Sequence, residues 1–387
     1  MKHHRIIALI ALLAAFPPLS TDMYLPAIPL LREQWEQPLM VVNLTLICFF
    51  VSYCIFLLVY GPVSDRYGRR RPLMVGIGIY IGASLLCAAS TGIRMMIVAR
   101  VLQAAGAASA SALSLAMCKD LFNAGSRARI MAHIAVIMAL APMLAPIIGG
   151  WIIYWFSWQW VFVVQALMGL VAFIGVHGMP EPLKVFSRVS PARVIRIYAR
   201  LMGNGRYTVL MVAMSLMVFP FFAFIAGSSE IYISRFGLSE REFGYFFGAN
   251  ALATMSGSLF FGRLSLHLRM EKIVTVSFAG ITAAGLWMAI APHHSPWSLT
   301  LPMGMISFFF GLCRPPTNNL ILEQVDHDVG AASSMLVFTF MMIGSLSMGI
   351  VSLQWTDKIV VIGAMGAIVG GLTLIFWMRC KHFFLIR

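Results

Sequence analysis

Apolar residues in this chain come in long unbroken runs. They show neither the alternation of a half-buried strand nor the three-and-four spacing of a helix on a soluble surface. Residues 39–64, 72–93, 207–229, 243–262, 329–356 and 359–378 contain no Asp, Glu, Lys or Arg. Residues 130–180 are 51 positions without one, enough for two passes around the aromatic turn WIIYWFSWQW. Residues 273–313 are also double length, turning at PHHSPW. The run 6–31 carries one charge, Asp22, and the run 95–118 carries only Arg100. A helix needs about 20 apolar residues to cross roughly 30 Å of hydrocarbon. The pattern therefore predicts twelve transmembrane helices and an all-α membrane protein, and no soluble core could hide so many segments.

Composition agrees: 60% of the 387 residues are hydrophobic and 11% charged, against about 25% charged in soluble domains. The net charge of +14 is explained by where the basic residues fall. With the N-terminus placed inside and the spans alternating, 21 of the 28 Lys and Arg lie on the inner side and 5 on the outer, with Arg100 and Arg314 within spans. That split follows the positive-inside rule and sets both termini in the cytoplasm of a bacterial inner membrane. The basic residues then face anionic lipid headgroups, and no nucleic-acid partner is implied. The first run is too long for the apolar part of a signal peptide and lacks a clear small-residue cleavage site. The six cysteines show no CxxC and the nine histidines no ligand spacing, so neither metal nor cofactor is expected.

The longest basic inner segment, 181–206, divides the chain into six-span halves, 1–180 and 207–387. GPVSDRYGRRRPL after span two finds a faint echo in GRLSLHLRMEK after span eight, in which Gly61 and Ser64 correspond to Gly262 and Ser265. Paired halves of this kind place a substrate site at mid-membrane depth. GPVSDRYGRRRPL, with Gly61, Asp65, Arg66, Gly68, Arg69 and Arg70, resembles the signature loop of the major facilitator superfamily. Its glycines permit tight turns. Its Asp can bind a helix N-terminus or an arginine, which suits an inward gate.

Five further stretches, STDMYLPAIP, RVLQAAGAASA, LAPMLAPIIGGWI, FGYFFGANAL and GAASSML, resemble the bicyclomycin-resistance (Bcr/CflA) type of multidrug/proton antiporter. The resemblance runs over nearly the whole chain. It implies that Arg100, with Gln103 and Gly106, belongs to a span-four motif whose arginine serves proton coupling. It also implies that Pro142, Pro146, Gly149 and Gly150 form a span-five antiporter motif. Three positions depart from the pattern: Ala145 replaces a usual glycine, Arg314 a small residue and Glu230 a frequent proline.

The intramembrane charges are the candidate machinery. Asp22 lies 16 residues beyond Ile6, about 24 Å across the membrane at 1.5 Å per residue. Arg100 lies six residues inside Arg94, about 9 Å below the same outer edge. Charges at such depth face the bundle interior or a water-filled cavity and commonly pair. A pocket that alternately wets and dries Asp22 would make it take up and release a proton. Pro17 and Pro18 free backbone carbonyls nearby. Tyr24, Asn43, Gln103, Asn250, Glu230 and Arg314 are candidates to line a substrate cavity.

These features predict a secondary transporter: no paired nucleophile and base and no nucleotide-binding loop are visible, so it is not expected to be an enzyme. The expected activity is proton-coupled efflux of small amphipathic compounds by a monomer using protons, substrate and lipid as its only partners. The alternative is a proton-coupled importer of a small solute on the same fold. A membrane sensor or membrane-embedded enzyme lacks any supporting motif.

Overall fold

The computed structural model describes residues 3–183, 186 and 191–385; Lys2, Lys184, Arg188 and Arg387, four of the inner-side charges counted above, lie outside them. The described chain is helical. The helices are α1 (His3–Asp22), α2 (Ile28–Gln34), α3 (Leu39–Tyr67), α4 (Arg70–Ala88), α5 (Ile93–Leu121), α6 (Ala124–Trp155), α7 (Trp158–His177), α8 (Pro191–Gly203), α9 (Gly205–Ser215), α10 (Phe219–Ser229), α11 (Glu240–Leu264), α12 (Met270–Ile290), α13 (Trp297–Leu322), α14 (Val329–Val351) and α15 (Lys358–Leu385). With α1–α2 joined and α9–α10 joined, ten of the described segments are long and apolar enough to cross a membrane. The other two long helices, α11 and α13, are diluted for visible reasons. Helix α11 begins with Glu240, Arg241 and Glu242, and α13 carries Arg314 and three prolines.

Two of the spans are interrupted. Helix α1 runs through Pro17 and Pro18 and ends at Asp22, after which a short 3-10 turn, Leu25–Ala27, leads into α2. Helix α10 ends at Ser229 and winds into a wide π turn, Glu230–Arg235. Outward-facing apolar rows identify lipid-facing surface. Leu167, Leu170, Val171 and Ile174 on α7 are exposed, as are Ile368, Leu372 and Ile375 on α15. Helices apolar all round belong in a membrane rather than in water.

The chain forms two compact units. One holds residues 1–194 with 239–244, the other 195–238 with 245–387. In the first, α5 packs against α3 and α4, and α4 against α7. Close approach needs small residues: a Cβ on Gly106 of α5 would stand 2.6 Å from the Tyr80 backbone nitrogen of α4. In the second, α12 packs along α15 and α13, and α10 along α14. The fully buried Trp377 of α15 donates to Thr275 Oγ1 of α12 at 3.1 Å. Helix α8 carries Arg193, Arg196 and Arg200 among Ile195, Ile197 and Leu201.

Candidate functional site

The first unit assembles a buried polar cluster around Arg100. Arg100 is fully buried and Asp22 is 6% exposed. Arg100 Nη1 donates to Gln103 Oε1 at 2.6 Å, one helical turn away, and to the Ser20 carbonyl at 2.9 Å. Its Nε reaches the Thr45 carbonyl at 3.4 Å. The guanidinium lies 4.3 Å from the ring centre of Phe49, 4.9 Å from that of Tyr24 and 5.9 Å from that of Phe162. Three aromatic faces replace part of the hydration a buried cation loses. Nη2 has no hydrogen-bond partner among the described residues.

Gln103 extends the cluster, its Nε2 donating to Gln165 Oε1 at 2.7 Å and to Ser84 Oγ at 2.9 Å. Gln165 Nε2 in turn donates to the Leu19 carbonyl at 3.1 Å. Ser20 Oγ donates to the Phe16 carbonyl, so the Tyr80 hydroxyl, 2.7 Å away, is the donor to Ser20. By the same reasoning Thr45 donates to the Val42 carbonyl and accepts from Tyr24 at 2.9 Å. The Asp22 carboxylate accepts from Thr21 Oγ1 at 2.8 Å, and Thr21 also lies 3.1 Å from the Pro17 carbonyl. Among the described residues no ion pair joins Asp22 to Arg100, although the guanidinium is bonded to backbone two residues before the acid. Charges expected to sit at one depth thus occupy one buried cluster as neighbours, with Arg100 Nη2 left to spare.

The loop between α3 and α4 is a second cluster. Arg69 Nη1 donates to Asp65 Oδ1 at 2.6 Å and to Ser64 Oγ at 2.7 Å, and its Nε to Asp120 Oδ2 at 2.8 Å. Glu181 accepts from the backbone N–H groups of Arg69 (2.7 Å) and Arg70 (3.0 Å). It thereby satisfies donors at the start of α4 that have no intrahelical partner. Arg70 Nη2 donates to the His177 carbonyl at the end of α7. Gly68 has φ +89°, and a Cβ there would come 2.6 Å from the Glu181 carboxylate. A left-handed backbone and lack of space both demand glycine. Gly61 is different, since a Cβ there would meet nothing within 4 Å. Arg66 lies over the Tyr67 ring at 5.4 Å.

In α6, Pro142 and Pro146 lie within continuous helix. A Cβ on Gly149 would collide with the Met23 carbonyl, and one on Gly150 with the Glu240 carbonyl. These glycines therefore let α6 touch the backbone beside Asp22 and the start of α11. Asn43 is fully buried. In the second unit, Asn250 Nδ2 donates to the Phe246 carbonyl at 3.2 Å. Glu230 is half-buried and accepts from Ser234 at 3.3 Å. Arg314 is exposed, with its guanidinium 4.8 Å from the ring centre of Phe340.

Sequence reasoning missed several members of these clusters: Gln165, Tyr80, Asp120 and Glu181. It also missed a repeat at the two helix breaks. Ser-Thr-Asp-Met-Tyr at 20–24 matches Ser-Ser-Glu-Ile-Tyr at 228–232. Both tyrosines are fully buried, and both donate to a threonine, Tyr24 to Thr45 and Tyr232 to Thr300 at 2.7 Å. The spacing between the two stretches was the available signal.

Residues 10–348 match the family model of the Major Facilitator Superfamily. The chain is 28% identical to the MFS-type transporter YdgK of Bacillus subtilis (strain 168), covering 93% of this chain and 90% of the relative. It is 26% identical to the bicyclomycin resistance protein homolog of Haemophilus influenzae, covering 90% and 89%. It is 28% identical to the multidrug transporter MdfA of Yersinia pestis, covering 77% and 75%. Among solved structures, the nucleoside transporter NupG superposes with a TM-score of 0.76 over 98% of this chain and 99% of that one, at 12% identity. At that identity the likeness shows the fold alone.

Proposed function

The chain belongs to the major facilitator superfamily, and on that premise we propose that it exports small amphipathic compounds across the bacterial inner membrane in exchange for protons. The observation that carries the reading is the pair of intramembrane charges in one buried cluster, Asp22 and Arg100, held close but not bonded to each other. A membrane-buried acid is expensive and marks function by default. Asp22 is the proton carrier, and Arg100 is the positioning residue that makes its charged state depend on conformation. Arg100 Nη2, without a hydrogen-bond partner among the described residues, would let a small helix shift make or break a contact with Asp22.

Tyr24, Asn43 and Gln103 in the first unit, and Asn250 and Arg314 in the second, would each meet substrate, with Glu230 adding charge near the start of α13. Asp65, Arg69, Arg70 and the Gly68 turn would work the inner gate. Pro142, Pro146, Gly149 and Gly150 would let α6 bend and slide during export. The names of two relatives, a bicyclomycin resistance protein homolog and a multidrug transporter, support efflux. The basic residues on the predicted inner loops support cytoplasmic termini, and nothing in the reading needs more than a monomer.

The test is transport by purified full-length protein in sealed vesicles with an imposed pH gradient and a panel of amphipathic compounds. Uptake driven by an acidic lumen is expected for antiport. Uptake only when substrate and proton gradients run in the same direction would instead establish the import reading.

A further inference from the structure

The second unit holds an intramembrane charge that the proton step leaves unused. Arg314 stands eight residues before the end of α13 at Leu322, about 12 Å along the helix from that end. Helical side chains lean toward the N-terminus of their helix, and this one does so. Its guanidinium carbon lies 5.9 Å from the ring centre of Phe310, one turn back, and 4.8 Å from that of Phe340 on α14. The charge is thus carried toward the middle of the helix instead of snorkelling to its near end.

Arg100 is fully buried, whereas Arg314 is exposed. Among the described residues no carboxylate forms an ion pair with it. Glu230 lies far off within the same unit. Its turn is tied to the first turn of α13 by the Tyr232–Thr300 bond, and Thr300 is fourteen residues, about 21 Å, from Arg314. A guanidinium exposed to hydrocarbon would be costly, so an exposed charge inside a span faces water. Beside it lie packed rings, of which Phe310, Phe340 and Phe222 are buried and Phe221 is half-buried. Phe221 stacks on Phe310 at 4.8 Å, and Phe222 meets Phe340 edge-on at 5.9 Å.

We propose that Arg314 binds the carboxylate of a small organic anion, an aryl or alkyl monocarboxylate, while the half-buried Phe221, stacked on Phe310, offers a face to its apolar body. This deepens the transporter reading and rests on it only for the transport step. The guanidinium fork matches a carboxylate with two parallel hydrogen bonds, and the partly exposed Phe221 gives the anion's hydrocarbon part a surface to cover. A monoanion leaving and a proton entering move charge in the same sense, so the exchange is electrogenic.

The test uses an isosteric pair, 2-naphthoate and 2-naphthamide, bound to the full chain in lipid nanodiscs. The wild type is expected to hold the acid about tenfold or more tighter than the amide. Arg314→Gln should bring the acid down to the amide's affinity and leave the amide unchanged, and Arg314→Lys should keep part of the preference. Equal affinities in the wild type, no binding of either compound, or a preference that survives Arg314→Gln would overturn the site. Transport is measured separately: an acid that binds through Arg314 but is not driven by an acidic lumen leaves the anion site standing and sinks the antiport reading.

Discussion

At the scale of single residues, Arg100 shows how a buried charge is tolerated: by two carbonyls, an amide oxygen and three aromatic faces. Arg100→Ala strands the Gln103 amide and the Ser20 carbonyl. An unmet buried polar group costs about 1–3 kcal/mol, so the variant should melt several degrees lower and lose proton-driven uptake. Arg100→Lys keeps the charge but not the fork and should lose about tenfold or more in uptake while staying folded. If Asp22 and Arg100 serve one step, Arg100→Ala in an Asp22→Asn background should add no further loss of uptake. Additive losses across the two singles and the double would mean that the groups act separately. The sequence made both charges visible, because each interrupts an apolar run. It could not reveal Gln165, which lies 62 residues from its partner Gln103 and looks like any polar residue in a span.

At the scale of elements, span positions were legible from run length, because the cost of burying charge in hydrocarbon leaves so little freedom. Contacts between elements were less so. The signature loop announced Asp65 and Arg69, but Asp120 and Glu181 come from distant segments that only packing brings near. Glu181→Gln keeps an acceptor for the α4 N-terminus but removes a charge favourable there. It should slow turnover in vesicles with little change in substrate affinity, and Asp65→Asn should do the same; a large loss of affinity with normal turnover would rule out a gating role for this loop. A second clasp lies in the second unit. Asp357 accepts from both Nη atoms of Arg235, at 2.6 and 3.0 Å, and from His293 and the Ile359 N–H. Partial burial opposes its charged form, yet these donors outweigh burial and hold its carboxyl at about 2, against about 3.9 for a free Asp. A depressed carboxyl stabilises the fold above the unfolded value, and the contribution disappears as pH falls through the folded one. The melting temperature of wild type should therefore exceed that of Asp357→Asn at about pH 6, and the gap should close between about pH 4 and pH 2. A gap that stays constant would mean that the clasp contributes nothing through its charge.

At the scale of the whole molecule, the two interrupted spans carry matching pentapeptides that end in a buried, hydrogen-bonded tyrosine, yet the halves have diverged in charge. The first encloses an acid and an arginine in one buried cluster, and the second leaves Arg314 exposed. On the proposed reading, that asymmetry would divide the labour, with protons handled in one half and substrate charge met in the other. One proton moving through 100 mV releases about 2.3 kcal/mol, enough to hold roughly a 40-fold gradient of a neutral compound, since about 1.4 kcal/mol is tenfold. Asp22→Asn removes the proton carrier without adding a charge to the buried cluster, and its amide can still accept from Thr21. The variant should therefore insert and fold, bind substrate as before, and exchange labelled for unlabelled substrate across the membrane. What it should lose is accumulation, because no step of its cycle is tied to the proton gradient. Exchange and gradient-driven uptake measured on the same vesicles separate the two. Accumulation that persists in well-inserted Asp22→Asn would place the proton carrier elsewhere, whereas loss of exchange as well would make Asp22 part of the moving framework itself.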